Sequence, residues 1–213
     1  MAGKFLLSTA YFPPVHYMAL IAGSDNILIE KEENYLKQTF RNRCYILSAN
    51  GPLVLTVPVL TGSFHKTALK DTMIDYSKRW QQIHTRGITS SYKSSPFYLY
   101  YYDLIEKPIL RNHKYLIDLN MDALESLIKI TGLTTGVSFT TIFEPEGQVR
   151  NDFRYDITPK KKTGGNSFIF KEYYQVFKNQ HGFVPGLSTL DLIFNTGPDS
   201  AGYLLSCRNP GPL

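Results

Sequence analysis

The chain has 213 residues, a length at which one fold buries enough apolar surface to need no metal or disulfide staple. Hydrophobic residues make up 43% and charged residues 19%, which excludes an intrinsically disordered protein, and two cysteines exclude a disulfide-dense secreted scaffold. The net charge of +5 suits an anionic partner, such as a phosphate-bearing donor or a nucleic acid.

The opening of the chain predicts a βαβ unit. Residues 5–24 contain no Asp, Glu, Lys or Arg, but Pro13-Pro14, His16 and Gly23 interrupt them, so the stretch predicts neither a membrane span nor a signal peptide. The pattern predicts a buried strand over residues 4–12, a helix over 15–22 and a second strand over 26–30. We therefore expect a cytoplasmic protein.

A β-hairpin is predicted next. Two strand-like runs, over residues 43–48 and 53–60, are separated by Ala49-Asn50-Gly51-Pro52. An Asn-Gly pair supplies the positive φ angles that a tight hairpin turn requires. Residues 72–76 form a further candidate strand.

Helices dominate the predicted structure from residue 78 onward. Apolar spacing predicts helices over residues 78–92, 97–110, 122–131, 171–179 and 188–195, and we expect the last of these to be the final helix. The second helix is aromatic all round, so we expect it to be largely buried, and Gly132 is expected to end the third. A strand is predicted over residues 137–143.

Together these elements predict the α/β class. We expect a mixed sheet that opens with a βαβ-like unit and a β-hairpin, followed by a helix-rich second half. No repeat or convincing linker divides the chain, so we predict a single domain over residues 1–213. The basic run Lys160-Lys161-Lys162, followed by Thr163-Gly164-Gly165, predicts a solvated loop.

The segment Phe12-Pro13-Pro14-Val15-His16-Tyr17 is the first candidate site. It resembles the opening of the HIGH-type nucleotidylyltransferases, in which a strand, a proline, a histidine and a helix start hold nucleotide phosphates. Met18 and Ala19 stand where that signature requires Gly and His, and no matching lid motif follows. Two interpretations stay open: His16 handles a phosphate, or it belongs to a packed helix start.

His84 is the second candidate because it lies on the apolar arc of the helix predicted over residues 78–92. The same arc carries Trp80, Ile83 and Gly87. A histidine in this position is either a hydrogen-bonded core residue or a general base lining a pocket, since imidazole titrates closest to neutral pH.

Asn42-Arg43, at the start of the predicted hairpin, is the third candidate. The Arg43 guanidinium either forms two hydrogen bonds to a carboxylate or phosphate, or it is an exposed charge on the surface of a strand. Aromatic residues are also abundant, with 15 tyrosines and 13 phenylalanines. Such a composition is typical of a core in which buried tyrosine rings place their hydroxyls near polar partners. It is equally typical of an aromatic-lined groove that binds sugars or bases.

Asp191 is the fourth candidate, but local helix chemistry accounts for it. Ser188 with Asp191 three residues later resembles a capping box, and Leu187 with Leu192 has the spacing of a hydrophobic staple. The pattern therefore favours a helix start over a catalytic carboxylate. No Cys/His cluster has metal-ligand spacing, and no nucleotide-binding glycine motif is present, so we predict neither a metal nor a cofactor.

A larger set of blocks spans nearly the whole chain in order. These blocks are Ala10-Tyr11-Phe12-Pro13-Pro14, residues 34–44, Gly51-Pro52-Leu53 through Val57-Pro58, residues 80–84, Ser91-Tyr92 with Ser95-Pro96-Phe97, Asn151-Asp152-Phe153-Arg154, residues 173–177, His181-Gly182-Phe183, Leu187-Ser188 with Asp191, and Phe194-Asn195 with Gly197-Pro198-Asp199. Taken together, they resemble the WbqC-like family of bacterial proteins. His16 and Asp199 stand where many members carry other residues.

The resemblance implies a role in surface-polysaccharide biosynthesis. Family members occur among genes for O-antigen and other surface polysaccharides, and a role in adding an aminoacyl group, such as glycine, to an amino sugar has been proposed for the family. The implied protein is a transferase that moves an acyl or aminoacyl group to an amine. Its partners are a sugar or sugar-nucleotide substrate and aminoacyl-tRNA or another acyl donor.

Acyl transfer of this kind needs a base for the amine and hydrogen-bond donors for the oxyanion. We assign His84 as the base, with Arg43 and Asn42 contacting the oxyanion or a phosphate. We predict that these residues lie in one open, aromatic-walled hollow. Substrate contacts are predicted for Trp80, Tyr92, Tyr11 and His16.

Two alternatives stay open. The first is a non-catalytic sugar- or nucleotide-binding protein of a polysaccharide assembly pathway. The second is a degenerate HIGH-type nucleotidylyltransferase-like enzyme, in which a nucleotide binds at Pro14 to Tyr17. Nothing in the pattern specifies an oligomeric state.

Overall fold

Two small sheets carry the strands of the computed structural model, which describes residues 5–60, 67–146, 148–149, 151–161 and 167–208. Strands β1 (Phe5–Ser8), β2 (Asn26–Glu30) and β5 (Gly136–Phe139) form a parallel sheet in the order β1-β2-β5. Strands β3 (Arg43–Ser48) and β4 (Gly51–Thr56) form an antiparallel hairpin. The α/β class and the predicted βαβ opening are confirmed.

The helices belong mainly to the second half of the chain, as predicted. They are α1 (Val15–Ala22), α2 (Trp80–Tyr92), α3 (Tyr98–Leu110), α4 (Leu116–Thr131), α5 (Lys178–His181), α6 (Thr189–Thr196) and α7 (Ser200–Ser206). Gly132 ends α4 in the left-handed conformation, with a φ of 67°. No helix within the described ranges is both long and apolar enough to span a bilayer.

A further extended segment joins the parallel sheet beside β1. The N–H of Leu6 donates to the Asn151 carbonyl at 3.0 Å, and the N–H of Phe153 donates to the Leu6 carbonyl at 2.9 Å. The bridge between Leu6 and Asp152 is parallel. β1 therefore has β2 on one side and residues 151–153 on the other.

The hairpin is confirmed, but its turn differs from the prediction. Ser48 pairs with Gly51, which leaves Ala49 and Asn50 as the two turn residues. Gly51 has a φ of 99°, whereas Asn50 is not among the residues with positive φ. The glycine therefore provides the left-handed residue that follows the turn, an arrangement found in hairpins with a bulge.

The prediction that residues 97–110 are largely buried is wrong. Leu99 is 87% exposed and Tyr100 is 76% exposed, while Tyr98, Ile105 and Ile109 face the core. The helix continues through Pro108 to Leu110. Ile83 of α2 is also 62% exposed, outside the arc on which its spacing placed it. Apolar side chains therefore occur on both faces of these helices, and periodicity alone does not identify the packed face.

Three other elements differ from the prediction. Residues 72–76 make only isolated bridges, such as Met73 with Tyr115, and residues 171–177 form no helix, so that α5 begins only at Lys178. A final helix, α7, follows α6 and was not expected, because Gly197-Pro198 indicates a stop rather than a corner between two helices. Of the basic run, Lys162 and the residues up to 166 lie outside the described residues.

Gly197 forms that corner, and we expect Gly197→Ala to lower the free energy of unfolding by about 2 kcal/mol or more. Its φ is 56°, and an added Cβ would lie 2.5 Å from the Phe97 ring. The matched control is Gly202→Ala within α7, where an added Cβ has no neighbour within 4 Å. We expect that change to be neutral or to stabilise the helix by about 0.5–1 kcal/mol. Urea unfolding of both variants measures the difference, and equal effects would contradict it.

Candidate functional site

A cavity of about 490 Å³ opens beside the first turn of α1, within the size range of small-molecule sites. His16 contributes to its wall from α1, Tyr45 and Pro52 contribute from the hairpin, and Phe40 contributes from the segment before the hairpin. The remaining wall is formed by two loops, over residues 158–161 and 184–187. Five parts of the chain thus meet at one place.

The topology of the parallel sheet brings two segments of the chain toward the cavity. The chain passes from β1 to β2 and β5 on one side, and then returns to the other side of β1 at residues 151–153. In open parallel sheets, ligands bind beyond the carboxyl ends of the strands at the point where the strand order reverses in this way. Residues 9–16 follow β1, residues 154–161 follow the returning segment, and both lead into the cavity wall.

His16 is the deeply buried polar residue of this wall, with 2% of its surface exposed. Neither ring nitrogen has a hydrogen-bond partner among the described residues. The ring is surrounded by Phe40, Phe168 and Phe170, with centroid distances of 6.0, 5.6 and 6.1 Å. Burial lowers the pKa of His16 to about 4, so the imidazole is neutral at pH 7. A buried polar group without partners costs about 1–3 kcal/mol, so a ligand that formed a hydrogen bond to the imidazole would recover part of that cost.

The turn that presents His16 is held in a strained conformation. Phe12 has a φ of 37°, in the left-handed region that side-chain-bearing residues rarely adopt. The hydroxyl of Ser188 donates to the Phe12 carbonyl at 2.8 Å. The N–H and the hydroxyl of Thr189 both donate to the Pro13 carbonyl, at 2.9 and 2.8 Å. The start of α6 thereby fixes the start of α1.

The first turn of α1 also leaves one backbone donor free. The N–H of Val15 donates to the Leu187 carbonyl at 2.9 Å, and the two N–H groups after His16 both donate to the Pro14 carbonyl. Within the part of the chain that the structure describes, the N–H of His16 has no acceptor. A free N–H at a helix N-terminus favours an anion or an oxyanion beside it.

A buried carboxylate supports the opposite wall. Gln175 holds the Val184 backbone through two hydrogen bonds, of 2.9 and 3.0 Å. The same glutamine amide donates to the Asp191 carboxylate at 2.7 Å, and the hydroxyls of Tyr173 and Tyr92 donate to it at 2.6 and 3.1 Å. Burial raises the pKa of Asp191 to about 6, against the opposing effect of these three donors.

The capping prediction for α6 is half right. The hydroxyl of Ser188 accepts from the Leu190 N–H at 3.3 Å, so Ser188 is the N-cap. Asp191 does not complete a capping box, because its carboxylate binds the two tyrosines and the glutamine, and the Ser188 N–H donates instead to the Tyr45 carbonyl. Asp191 therefore supports the Val184 backbone through Gln175. Gln175 lies in the Tyr-Tyr-Gln block of the sequence, but no local pattern predicts this contact.

The segment that resembles a nucleotidylyltransferase opening matches that motif only at its start. Met18 and Ala19 occupy the positions where the motif requires Gly and His, and both are fully buried in the core below α1. The prediction that His16 contacts a substrate stays a prediction, with the cavity as its structural context.

His84, Tyr11 and Trp80 form a buried aromatic cluster on the hairpin side of α2. The Tyr11 hydroxyl lies 2.8 Å from Nδ1 of His84, and the Trp80 ring packs against the imidazole with a centroid distance of 5.1 Å. His84 is 2% exposed. Burial lowers its pKa to about 4, against an opposing hydrogen bond to the Thr56 backbone. None of the three side chains lines the His16 cavity.

The hairpin separates His84 from Arg43. Helix α2 packs against Leu53 and Leu55, so it covers one face of the hairpin. Side chains alternate along a strand, and Arg43 and Tyr45 therefore point to the opposite face, on which Tyr45 meets the cavity. The prediction that His84 and Arg43 share one open hollow is wrong, and their individual roles stay predictions.

The remaining predicted site residues are Arg43, Asn42 and Tyr92, of which Asn42 and Tyr92 have structural partners. Nε of Arg43 is buried without a partner in the described region, and the Asn42 amide donates to the Val57 carbonyl at 2.9 Å, which holds the chain together just beyond the hairpin. Tyr92 is buried against Phe194, with ring centroids 5.2 Å apart. Neither Asn42 nor Tyr92 lines the His16 cavity.

We expect the two buried histidines to make the protein sensitive to acid. In the unfolded chain each has a pKa near 6.5, whereas the folded pKa is about 4, so the unfolded state binds more protons as the pH falls between these values. Each histidine then lowers the free energy of unfolding by about 3 kcal/mol over that interval. The raised pKa of Asp191 acts in the opposite direction below pH 6, because folding favours its protonated form.

Urea unfolding at pH 7 and pH 4.5 measures this dependence. The variant His84→Gln keeps a hydrogen-bonding group beside Tyr11 but cannot titrate, so it should lose clearly less stability on acidification than the wild type. Identical losses in the two proteins would show that His84 is not held neutral by the fold.

Metal ligation finds no support in the described part of the chain. Across residues 5–60, 67–146, 148–149, 151–161 and 167–208, no three His, Cys, Asp or Glu side chains are grouped so that they could hold an ion. The groups that can act chemically at the cavity include the His16 imidazole, the free N–H of its backbone and the exposed ammonium of Lys161, beside the hydroxyls of Tyr45 and Thr158.

Comparison with known proteins agrees with the resemblance of the sequence blocks. The protein named "Uncharacterized protein Rv1507c" from Mycobacterium tuberculosis is 26% identical over 227 aligned residues, which cover 95% of this chain and 97% of that protein. No solved structure matches the chain. The sequence profile described as the WbqC-like protein family matches residues 9–169. Because that match covers most of its length, the chain belongs to the WbqC-like protein family.

Proposed function

We propose that the chain is a transferase of surface-polysaccharide biosynthesis that moves an acyl or aminoacyl group to the amine of an amino sugar, with His16 as the general base. The observation that carries the proposal is His16 itself. It is a neutral, unpartnered imidazole in the wall of a cavity of small-molecule size. The polysaccharide context of the proposal is what the resemblance to the WbqC-like family implies.

In the proposed reaction, the amine nitrogen attacks the acyl carbon of the donor. A C–N bond forms and the bond from the acyl carbon to the leaving oxygen or sulfur breaks. The amine proton passes to the His16 imidazole and from there to the leaving group, so that the histidine is restored. A neutral imidazole is the form that accepts this proton.

The free N–H of His16 supplies the second requirement. The tetrahedral intermediate carries a negative oxygen, which a fixed N–H at a helix N-terminus stabilises. Since the start of α6 fixes the turn through Ser188 and Thr189, this donor is held in place before the ligand binds.

The test is an assay of group transfer with the full chain. The protein is incubated with an acyl donor and a nucleotide-linked amino sugar, and the acylated amine is detected by mass spectrometry. We expect time-dependent amide formation that exceeds the rate without protein. Binding of donor and acceptor without any amide would overturn the enzyme proposal and favour a non-catalytic binding protein.

A further inference from the structure

We infer that the His16 cavity receives an acyl group that is uncharged and apolar, from a donor whose leaving part carries a phosphate. The inference rests on the proposed function and narrows its donor class. Among acyl and aminoacyl groups it excludes those with a free ammonium inside the cavity.

The chemistry of the wall favours an apolar occupant. Phe40, Leu187 and Val184, together with three prolines, supply most of the lining. The polar side chains of the wall are His16, Tyr45, Thr158 and Lys161, and the described lining includes no carboxylate. A propionyl or butyryl group placed there would replace water on apolar surface and leave only its carbonyl to be hydrogen-bonded.

A charged aminoacyl group would meet no counter-ion in the same place. Burial of an ammonium without a paired anion is strongly unfavourable. His16 is neutral and Lys161 is itself a cation, so neither compensates the charge. The Asp191 carboxylate lies behind the wall and is already saturated by Gln175, Tyr173 and Tyr92.

The mouth of the cavity, in contrast, suits an anion. Lys161 is exposed, and its ammonium lies 2.6 Å from the exposed carboxylate of Asp156. An exposed pair of this kind contributes little to stability, so Lys161 can exchange Asp156 for a phosphate at small cost. Arg43 lies two residues before Tyr45 on the hairpin face that meets the cavity, and its buried Nε is unpartnered among the described residues.

Two matched donors test the inference by binding alone. Butyryl-CoA and β-alanyl-CoA have acyl groups of nearly equal size, and they differ in that a terminal methyl is replaced by an ammonium. We expect isothermal titration calorimetry at pH 7 to give a Kd for butyryl-CoA that is at least about tenfold lower. Butyryl phosphate is titrated as a third ligand. It carries a phosphate but no pantetheine, so its Kd distinguishes an acyl phosphate donor from an acyl-CoA donor.

A wall variant reports whether the ligand occupies this cavity. Val184→Asp places a carboxylate in the half-buried wall, and we expect it to weaken butyryl-CoA and to strengthen β-alanyl-CoA, so that the ratio of the two Kd values falls at least about tenfold. Lys161→Ala should weaken butyryl-CoA several-fold but leave butyryl-pantetheine, which lacks the phosphates, unchanged. Melting temperatures of both variants show whether they are folded.

Three results would overturn the inference: equal affinity for the two donors, preference for β-alanyl-CoA, or no binding of either. An unchanged ratio in a folded Val184→Asp variant would place the ligand elsewhere and would overturn it as well. These failures are distinct from failure of the proposed function. Preferential binding of butyryl-CoA without transfer would contradict only the proposed acyl-transfer activity. His16-dependent transfer of β-alanyl groups would contradict only the inference that the acyl group is uncharged.

Discussion

We expect the substitution His16→Gln to lower the rate of amide formation by about 10²–10⁴-fold, the range that general-base catalysis contributes. Glutamine is close to histidine in size and is uncharged, but it cannot take up a proton. The wild-type imidazole already has no partner for its nitrogens among the described residues, so the substitution breaks no hydrogen bond that holds the fold. Stability at pH 7 should therefore change little, and rate and melting temperature are measured on the same preparation.

The matched control is His84→Gln. Both histidines are 2% exposed and both have a pKa of about 4, but His84 lies behind the hairpin and is hydrogen-bonded to Tyr11. We expect this variant to keep most of its activity and to be destabilised instead. The opposite result is a loss of activity in His84→Gln with activity retained in His16→Gln. That result would show that His84 is the general base and that the His16 cavity is not the catalytic site.

The largest loss of stability is expected for Arg154→Met, at about 3–5 kcal/mol. Arg154 is buried at the carboxyl end of the parallel sheet, where it forks onto Asp152 at 2.9 and 2.6 Å and contacts Glu30 at 3.2 Å. Methionine fills much of the volume but leaves both carboxylates without their cation. Urea unfolding at pH 7 measures the loss.

A double variant separates the lost charge from the lost packing. If the cost of Arg154→Met comes from uncompensated charge, the added change Asp152→Asn should restore part of the stability, because one of the two stranded carboxylates is removed. A double variant less stable than Arg154→Met would show that packing dominates. The same segment leads from residue 154 to Thr158 in the cavity wall, so ligand affinity should fall together with stability.

Local patterns predicted the elements whose signals are local. Pro14 before an apolar run located α1, the Asn-Gly pair located the hairpin, and Gly132 located the end of α4. Where two patterns compete, the sequence alone did not decide. The irregular region before α5 has helical spacing, yet Gln175 there uses its side chain to hold the Val184 backbone. That contact is made across nine residues and has no periodic signature.

The candidate site was predicted only in part, for a related reason. His16 was recognised from its place at a helix start, but the choice of His84 as the base followed from its apolar arc, which in fact packs against Tyr11 and Trp80. The cavity depends on loops 158–161 and 184–187, which carry no motif for a ligand. Residues 158–161 reach His16 because the chain returns beside β1 at residues 151–153, and residues 184–187 reach it because the start of α6 binds the start of α1. Such long-range contacts are not encoded in any single window.

The most direct measurement is a long-range ¹H–¹⁵N spectrum of the imidazole rings, recorded with and without butyryl-CoA. The chain has five histidines, so each ring can be assigned by single substitution. The His16 nitrogens should shift on saturation, because a ligand carbonyl or an entering amine would be their first hydrogen-bond partner, while the His84 nitrogens should stay bonded to Tyr11 and unchanged. Saturated binding with no shift at His16 would contradict the assignment of this cavity as the site.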